Sequence, residues 1–198
     1  MQQLNEQMTP ALAEVVSEVE ARRRAGTIIS LFLDFDGTLV PIARDRATPR
    51  LDGAPRDTLR RISIKPSVVT TIISGRALDD LYSRVHIDGC IYAGNHGLEI
   101  FGPNLYFVEP VAAGLREELQ RLGDTLNSQL CPIPGVSIED KGLTISVHYR
   151  QAAEADVARV RDLVGETVSS TGSFRFRAGR KVLDIVPQTD WHKGIAAQ

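Results

Sequence analysis

Ile28-Ile29-Ser30-Leu31-Phe32-Leu33-Asp34-Phe35-Asp36-Gly37-Thr38-Leu39 is the stretch on which the fold turns. Its first half is an almost unbroken apolar run, the pattern of a strand buried on both faces. The run stops abruptly at two aspartates. A carboxylate that closes a buried strand is costly unless it is paired or bound to a metal. Asp34 and Asp36 stand at i and i+2, so both can project to the same side. Gly37 permits the tight turn beneath them. An Asp-Gly turn alone accounts for Asp36 and Gly37 but leaves Asp34 without a reason. Such a pair can hold Mg2+, which favours carboxylate together with phosphate and water. One carboxylate can attack phosphorus while the other protonates a leaving alcohol.

The same grammar recurs on either side of this stretch. Upstream, Thr9–Gly26 reads as a helix, with Thr9 as N-cap and Pro10 at the first position. Leu12, Val15, Val16 and Val19 fall on one face, and Arg22, Arg23 and Arg24 match the negative end of the helix dipole. Downstream, a second buried run, Ser67–Ile73, ends at Ser74-Gly75-Arg76. A third, Ile91–Ala93, ends at Gly94-Asn95-His96-Gly97. Helical stretches at Arg56–Ile62 and Ala77–Val85 alternate with these runs. The pattern predicts an open, mostly parallel α/β sheet with helices on both faces. Ligands bind at the carboxyl ends of the strands in such sheets, so Asp34/Asp36, Ser74/Arg76 and Asn95/His96 converge on one candidate site.

Beyond Gly97 the pattern changes. Leu98–Phe101 and Leu105–Val108 flank Gly102-Pro103-Asn104 as a hairpin. A long helix with Leu115, Leu119, Leu122 and Leu126 on its face follows, then strands at Val136–Glu139 and Leu143–Tyr149. A helix over Ala152–Val168 and strands at Phe174–Arg177 and Val182–Val186 complete an α-β-β-α-β-β order. The expected division is a core over 1–108, an inserted α+β module over 109–187, and a return to the core over 188–198.

The chain has 198 residues, enough for one domain or a core with an inserted module. An apolar fraction of 42% against 24% charged excludes wholesale disorder. With 23 basic and 25 acidic residues, net −2, it lacks the basic excess of a nucleic-acid binder. No apolar run approaches the ~18 residues of a membrane span. Met1–Met8 carries no leader pattern, so the expected location is the cytoplasm. Cys90 and Cys131 have no metal-site spacing and read as two buried thiols in a reducing compartment.

Asp34-Phe35-Asp36-Gly37-Thr38-Leu39 resembles the first motif of the haloacid dehalogenase superfamily. Ile72-Ile73-Ser74-Gly75-Arg76 resembles its second motif in the form found in trehalose-6-phosphate phosphatases. Gly94-Asn95-His96-Gly97-Leu98-Glu99-Ile100 resembles their next block. Ile138-Glu139-Asp140-Lys141 and Val147-His148-Tyr149-Arg150 resemble their cap, and His192-Lys193-Gly194 the third motif. The blocks run in family order over residues 28–198. The resemblance implies a haloacid dehalogenase-like Rossmannoid core with a C2-type α+β cap. It implies a Mg2+-dependent phosphatase acting on a sugar phosphate, trehalose 6-phosphate before others, through an aspartyl-phosphate.

Carried over by resemblance, Asp34 is nucleophile and metal ligand, and Asp36 is general acid, then base, with its carbonyl on the metal. Ser74 and Lys193 hold the transferring phosphoryl group. Gly75, Arg76, His96, Glu139, Lys141 and Asp184 are implied substrate contacts. Asp184 and Val186 depart from the usual Glu and Arg of that strand. A trehalose-6-phosphate synthase is the implied protein partner. The family's fourth motif, an acidic loop that completes the metal site, is expected beyond Lys193 but does not occur before Gln198. Asp190 and Glu99 are the nearby carboxylates able to replace it. Rival readings are a non-catalytic sugar-phosphate-binding or regulatory domain, a receiver-type phosphoacceptor domain, or a sugar phosphatase or phosphomutase of other specificity.

Overall fold

The computed structural model describes residues 9–43 and 48–198. Met1–Met8, read above as free of a leader pattern, lies outside them. A first sheet takes the order β1-β2-β3-β4-β5, from β1 (Ile29–Asp34), β2 (Val68–Ile73), β3 (Ile91–Gly94), β4 (Glu99–Gly102) and β5 (Leu105–Val108). The pairings among β1, β2 and β3 are parallel and those among β3, β4 and β5 antiparallel. The parallel character is thus confined to the three strands whose ends carry the polar groups. Their register is level: Asp34 pairs with Ile73, and Ile73 with Ala93. Ser74 and Gly94 therefore emerge beside Asp34 on one edge of the sheet.

Helices α2 (Gly53–Ser63) and α3 (Leu78–Val85) cover one face of this sheet. Leu59, Leu81 and Val85 meet Phe35, Ile72 and Tyr92 there. The opposite face packs Ile73, Ala93 and Ile100 against Phe107 and Ala196.

β1 departs from the expectation of a strand buried on both faces. Phe32 is 41% exposed, and residues alternate between half-buried and exposed along the strand. The reason is position: among the described residues β1 pairs only with β2 and forms the edge. Helix α1 (Pro10–Arg24) forms as its cap signals require, with Thr9 Oγ1 accepting from Leu12 N at 3.3 Å. Its apolar stripe nevertheless finds no core, because Leu12, Val15, Val16 and Val19 all remain exposed.

A second sheet, entirely antiparallel, takes the order β6-β7-β9-β8 from β6 (Ser137–Asp140), β7 (Ile145–His148), β8 (Phe174–Gly179) and β9 (Val182–Pro187). Short α4 (Pro110–Gly114) leads into α5 (Arg116–Leu130), and α6 (Glu154–Ser169) lies beside α5. Leu119, Leu122, Leu126, Val160 and Val164 pack on Ile145, Val147, Leu183 and Ile185. Each such side chain contributes about 1.5–3 kcal/mol when fully buried. Part of its other face is buried too: Thr144 and Ser146 are 1% and 0% exposed, and Thr144 Oγ1 donates to Asn95 beyond the end of β3. The chain returns to the core through Trp191 and closes with α7 (Lys193–Ala196).

Both cysteines are free thiols. Cys90 is buried, and burial pushes its thiol up. Cys131 is exposed, contrary to expectation, because it follows the last turn of α5 with its Sγ turned toward Ser128 O. Among the described residues no helix is long and apolar enough to cross a membrane.

Candidate active site

Phe35 determines the site's first half. Its ring is fully buried in the core of the first sheet, so strand alternation sends Asp34 and Asp36 the other way. Beyond them Gly37, at φ 90°, turns the chain so that its N–H donates to Val40 O at 2.8 Å. Few side chains tolerate that backbone. The two carboxylates stay partly in water, at 42% and 37% side-chain exposure.

Each has taken a basic partner. Lys193 Nζ donates to Asp34 Oδ1 at 2.6 Å. Arg76 grips Asp36 with both arms of its guanidinium, Nε to Oδ2 at 2.8 Å and Nη2 to Oδ1 at 2.7 Å. Its third nitrogen donates to Asp80 Oδ2 at 3.0 Å, and its carbon lies 5.4 Å from the centre of the Phe35 ring. Burial opposes the Arg76 charge, but the bonds to Asp36 and Asp80 outweigh it and hold the guanidinium above its ordinary value. Burial likewise pushes Asp80 up, and Arg84 and Arg76 more than reverse it. Arg76, expected to contact substrate, bonds these carboxylates through its guanidinium and also lines a cavity.

Ser74 is 2% exposed, its Oγ accepting from Arg76 N at 3.2 Å, which leaves the hydroxyl proton for another acceptor. Gly75 admits no side chain: a Cβ there would stand 2.5 Å from His96 Cε1. Lys193 is delivered by the residues around it. Trp191 Nε1 donates to Gly97 O at 2.8 Å, and its ring stacks on Phe107 at 4.9 Å. His192 caps the short helix, its Nδ1 accepting from Gly194 N at 3.0 Å.

The second sheet lowers its polar face onto these groups. Lys141 Nζ donates to Gly75 O at 3.0 Å and lies 3.5 Å from Asp184 Oδ1. Ser146 Oγ donates to the same Asp184 oxygen. Glu139 lies farther along β6, its Oε2 2.8 Å from His148 Nε2. Glu139, His148 and Arg150 line a cavity of about 780 Å³ with Arg76, Asp80 and Arg84 across it. A groove of the same volume between α1 and β1 holds none of the converging residues.

His96 sits over Gly75 and is pushed down to about 4, first by burial and then by the charge of Lys193. Asn95 was read only as a polar strand end, yet it is fully buried and bonds both sheets: Nδ2 to Glu99 Oε1 at 2.7 Å and to Lys141 O at 2.9 Å, with Oδ1 accepting from Thr144 Oγ1 at 2.6 Å. Glu99 Oε1 also accepts from Leu78 N at 2.9 Å, which ties this carboxylate to the junction. Among the described residues no group of three or more His, Cys, Asp or Glu is placed to hold a metal. The donors present still suit Mg2+, which takes one or two protein carboxylates and completes its shell with water and phosphate. Asp34 engages Lys193 through Oδ1, and no bond from a described residue reaches its Oδ2.

Parallel strands ending in paired aspartates and a serine, joined by a helix-borne lysine beneath an α+β cap, define a haloacid dehalogenase-like fold. Solved structures agree: a trehalose-6-phosphate phosphatase related protein superposes with a TM-score of 0.73 at 21% identity over 84% of this chain and 71% of its own. The C-terminal domain of the C. albicans trehalose-6-phosphate phosphatase gives 0.71 at 23% identity, over 86% and 61%. The chain belongs to the trehalose-phosphatase family, whose sequence pattern matches residues 32–198. The trehalose-phosphate phosphatase of Mycobacterium tuberculosis is 34% identical over 166 residues, 83% of this chain and 42% of that protein. That of Mycobacterium avium is 34% identical over 177 residues, 86% and 43%. The chain thus spans about two-fifths of the length of these relatives.

Proposed function

We propose that the chain is the catalytic region of a cytoplasmic phosphatase that hydrolyses trehalose 6-phosphate to trehalose and phosphate. The observation that carries this reading is the convergence of Asp34, Ser74 and Lys193 under the cap residues Lys141 and Asp184. In the first step Asp34 Oδ2 attacks phosphorus in line, and the phosphorus–oxygen ester bond breaks as the new one forms. Asp36 enters this step protonated on one oxygen while the other still accepts from Arg76, gives that proton to the leaving sugar oxygen, and on ionising regains the full fork. Water then attacks the phosphorus of phospho-Asp34, Asp36 takes its proton back, and phosphate departs. Lys193 and the Ser74 hydroxyl hold the equatorial oxygens in both steps. Mg2+, held by the Asp34 carboxylate and the Asp36 carbonyl, would offset the charge of the phosphoryl group.

The inserted α+β unit over 109–187 acts in this reading as the sugar-recognition cap. Glu139, Lys141 and Asp184 hydrogen-bond hydroxyls, with Gly75 beside Lys141 and His96 over Gly75. A synthase that makes trehalose 6-phosphate is the partner such an enzyme would draw on. A second reading, a sugar-phosphate-binding domain without turnover, is favoured by the basic partners that both aspartates already hold, Lys193 on Asp34 and Arg76 on Asp36.

Phosphate release from trehalose 6-phosphate with Mg2+, comparing the parent with Asp34→Asn, tests the proposal. Release by the parent, a phosphoprotein trapped by acid quench, and neither in Asp34→Asn are expected. Substrate binding without release by the parent selects the second reading.

A further inference from the structure

Asn95 occupies a place for which no role was read from the sequence. Its backbone belongs to the first sheet's loops: Asn95 N donates to Arg76 O at 2.7 Å, and the next residue's N donates to Ser74 O at 2.8 Å. Its side chain belongs to the cap. The carbonyl of Lys141 and the hydroxyl of Thr144, at the two ends of the β6–β7 turn, both bond the Asn95 amide. That turn is closed on itself by Lys141 N donating to Thr144 O at 2.9 Å. The amide's remaining hydrogen goes to Glu99, whose same oxygen accepts from Leu78 N at the start of α3. One residue thus ties the phosphoryl loop through its backbone, the cap turn through its amide and, by way of Glu99, the start of the helix that carries Asp80.

We infer that Asn95 is a positioning residue that sets where the cap turn, and with it Lys141, stands above the ends of β1 and β2. The inference rests on the phosphatase reading for its consequence and on geometry for its substance. The residue type is demanded by the bonds. Both amide hydrogens face acceptors and the amide oxygen faces a hydroxyl, so donors and acceptor are matched one to one. Aspartate has the same shape but turns an acceptor toward the Glu99 carboxylate and the Lys141 carbonyl. In a dry junction that exchange is expensive, since Asn95, Thr144 and Lys141 are 0%, 1% and 6% exposed. A backbone reason also exists, because φ is 48° at Asn95, a region asparagine, aspartate and glycine tolerate. The two reasons separate by mutation. If only the backbone matters, Asn95→Asp and Asn95→Gly are silent; if the amide matters, both disturb the cap turn.

Amide hydrogen exchange on the full chain reads this directly. In Asn95→Asp the amides of Lys141–Thr144 and of Leu78 are expected to exchange about tenfold faster or more, with those of β2 and α6 still protected. Thr144→Val removes one bond from the cap side without touching the strained backbone, and should loosen the same turn to a smaller extent. In steady-state assays KM for trehalose 6-phosphate should rise about tenfold in Asn95→Asp, while kcat for p-nitrophenyl phosphate, which has no sugar for the cap, changes less than about twofold. Unchanged exchange at Lys141–Thr144 in both variants overturns the inference, as do equal losses on the two phosphates. A parent chain that hydrolyses neither phosphate defeats the phosphatase reading alone, because the exchange comparison still decides the role of Asn95.

Discussion

Lys193 Nζ stands 2.6 Å from Asp34 Oδ1 although 159 residues separate the two in the chain. A lysine so placed can bridge the nucleophile and the oxygens of an incoming phosphate. It is a compact point charge rather than a fork, which suits a group whose charge moves during reaction. The pair contributes little to stability, for the two side chains are 38% and 42% exposed and water screens them. Lys193→Met should therefore cost less than about 1 kcal/mol in urea denaturation. Phosphate release should fall about 100-fold or more, as for loss of a transition-state donor. A variant that keeps half of the parent turnover rules out Lys193 as the phosphoryl holder.

The Arg76–Asp36 fork has the opposite balance. Arg76 is 3% exposed while Asp36 and Asp80 are 37% and 34% exposed, so the cation is dry and its partners are half wet. Lysine keeps the charge but offers one point instead of two parallel donors. Arg76→Lys is expected to lose about 1–3 kcal/mol of stability. Turnover should drop on trehalose 6-phosphate and p-nitrophenyl phosphate alike, because Asp36 loses its orientation whatever the leaving group. Stability and both activities at parent levels would show that the fork does not position Asp36.

How much of this was legible depends on whether the controlling interaction is local. The Asp34-to-Leu39 stretch carries its own signal, since Phe35 between two aspartates dictates both the buried ring and the outward carboxylates. The level register of Asp34, Ile73 and Ala93 follows from three similar runs ending in polar loops. β1 was misread because an apolar run says nothing about how many neighbours a strand has. The burial of Thr144 and Ser146 was not legible because alternation shows that two residues share a face, not what that face meets. The Arg76–Asp36 fork was not legible because the two residues lie 40 apart in the chain, where no periodicity points. Asn95 was visible as a polar strand end, but its bonds to Lys141 and Thr144 exist only once the cap has folded over it.

The cap carboxylate and lysine should separate under mutation. Glu139 lines the cavity with His148, whereas Lys141 is buried and ties Gly75 to the cap. Glu139→Ala should raise KM for trehalose 6-phosphate about tenfold and leave p-nitrophenyl phosphate hydrolysis within about twofold. Lys141→Ala should show the same split and also lose about 1–3 kcal/mol of stability, since Gly75 O and Asp184 are left without their buried partner. Losses that match on both substrates for Glu139→Ala mean that the residue is structural.

His96 gives the fold a pH dependence with a definite sign. In the unfolded chain its imidazole titrates near 6.5, and in the folded chain it is pushed down to about 4, by burial first and then by Lys193, with Lys141 and Arg177 adding to the shift and Asp184 opposing it. Above the unfolded value both states hold a neutral ring and His96 contributes no slope. Between 6.5 and 4 the unfolded state binds the proton and the folded state does not, so stability falls as the pH falls. The loss is about 1.4 kcal/mol per pH unit and approaches about 3 kcal/mol near pH 4. Asparagine at this position removes the titration and tolerates the φ of 61° that His96 adopts. Urea denaturation at pH 7, 5.5 and 4.5 (about one and a half units, then one) should show the parent losing stability more steeply than His96→Asn. Carboxylates such as Asp80 titrate in both proteins and cancel in the comparison. Parallel curves for the two would mean that the His96 ring accepts a proton in the folded chain as readily as in the unfolded one, and that the burial over Gly75 and the nearby Lys193 charge do not govern it.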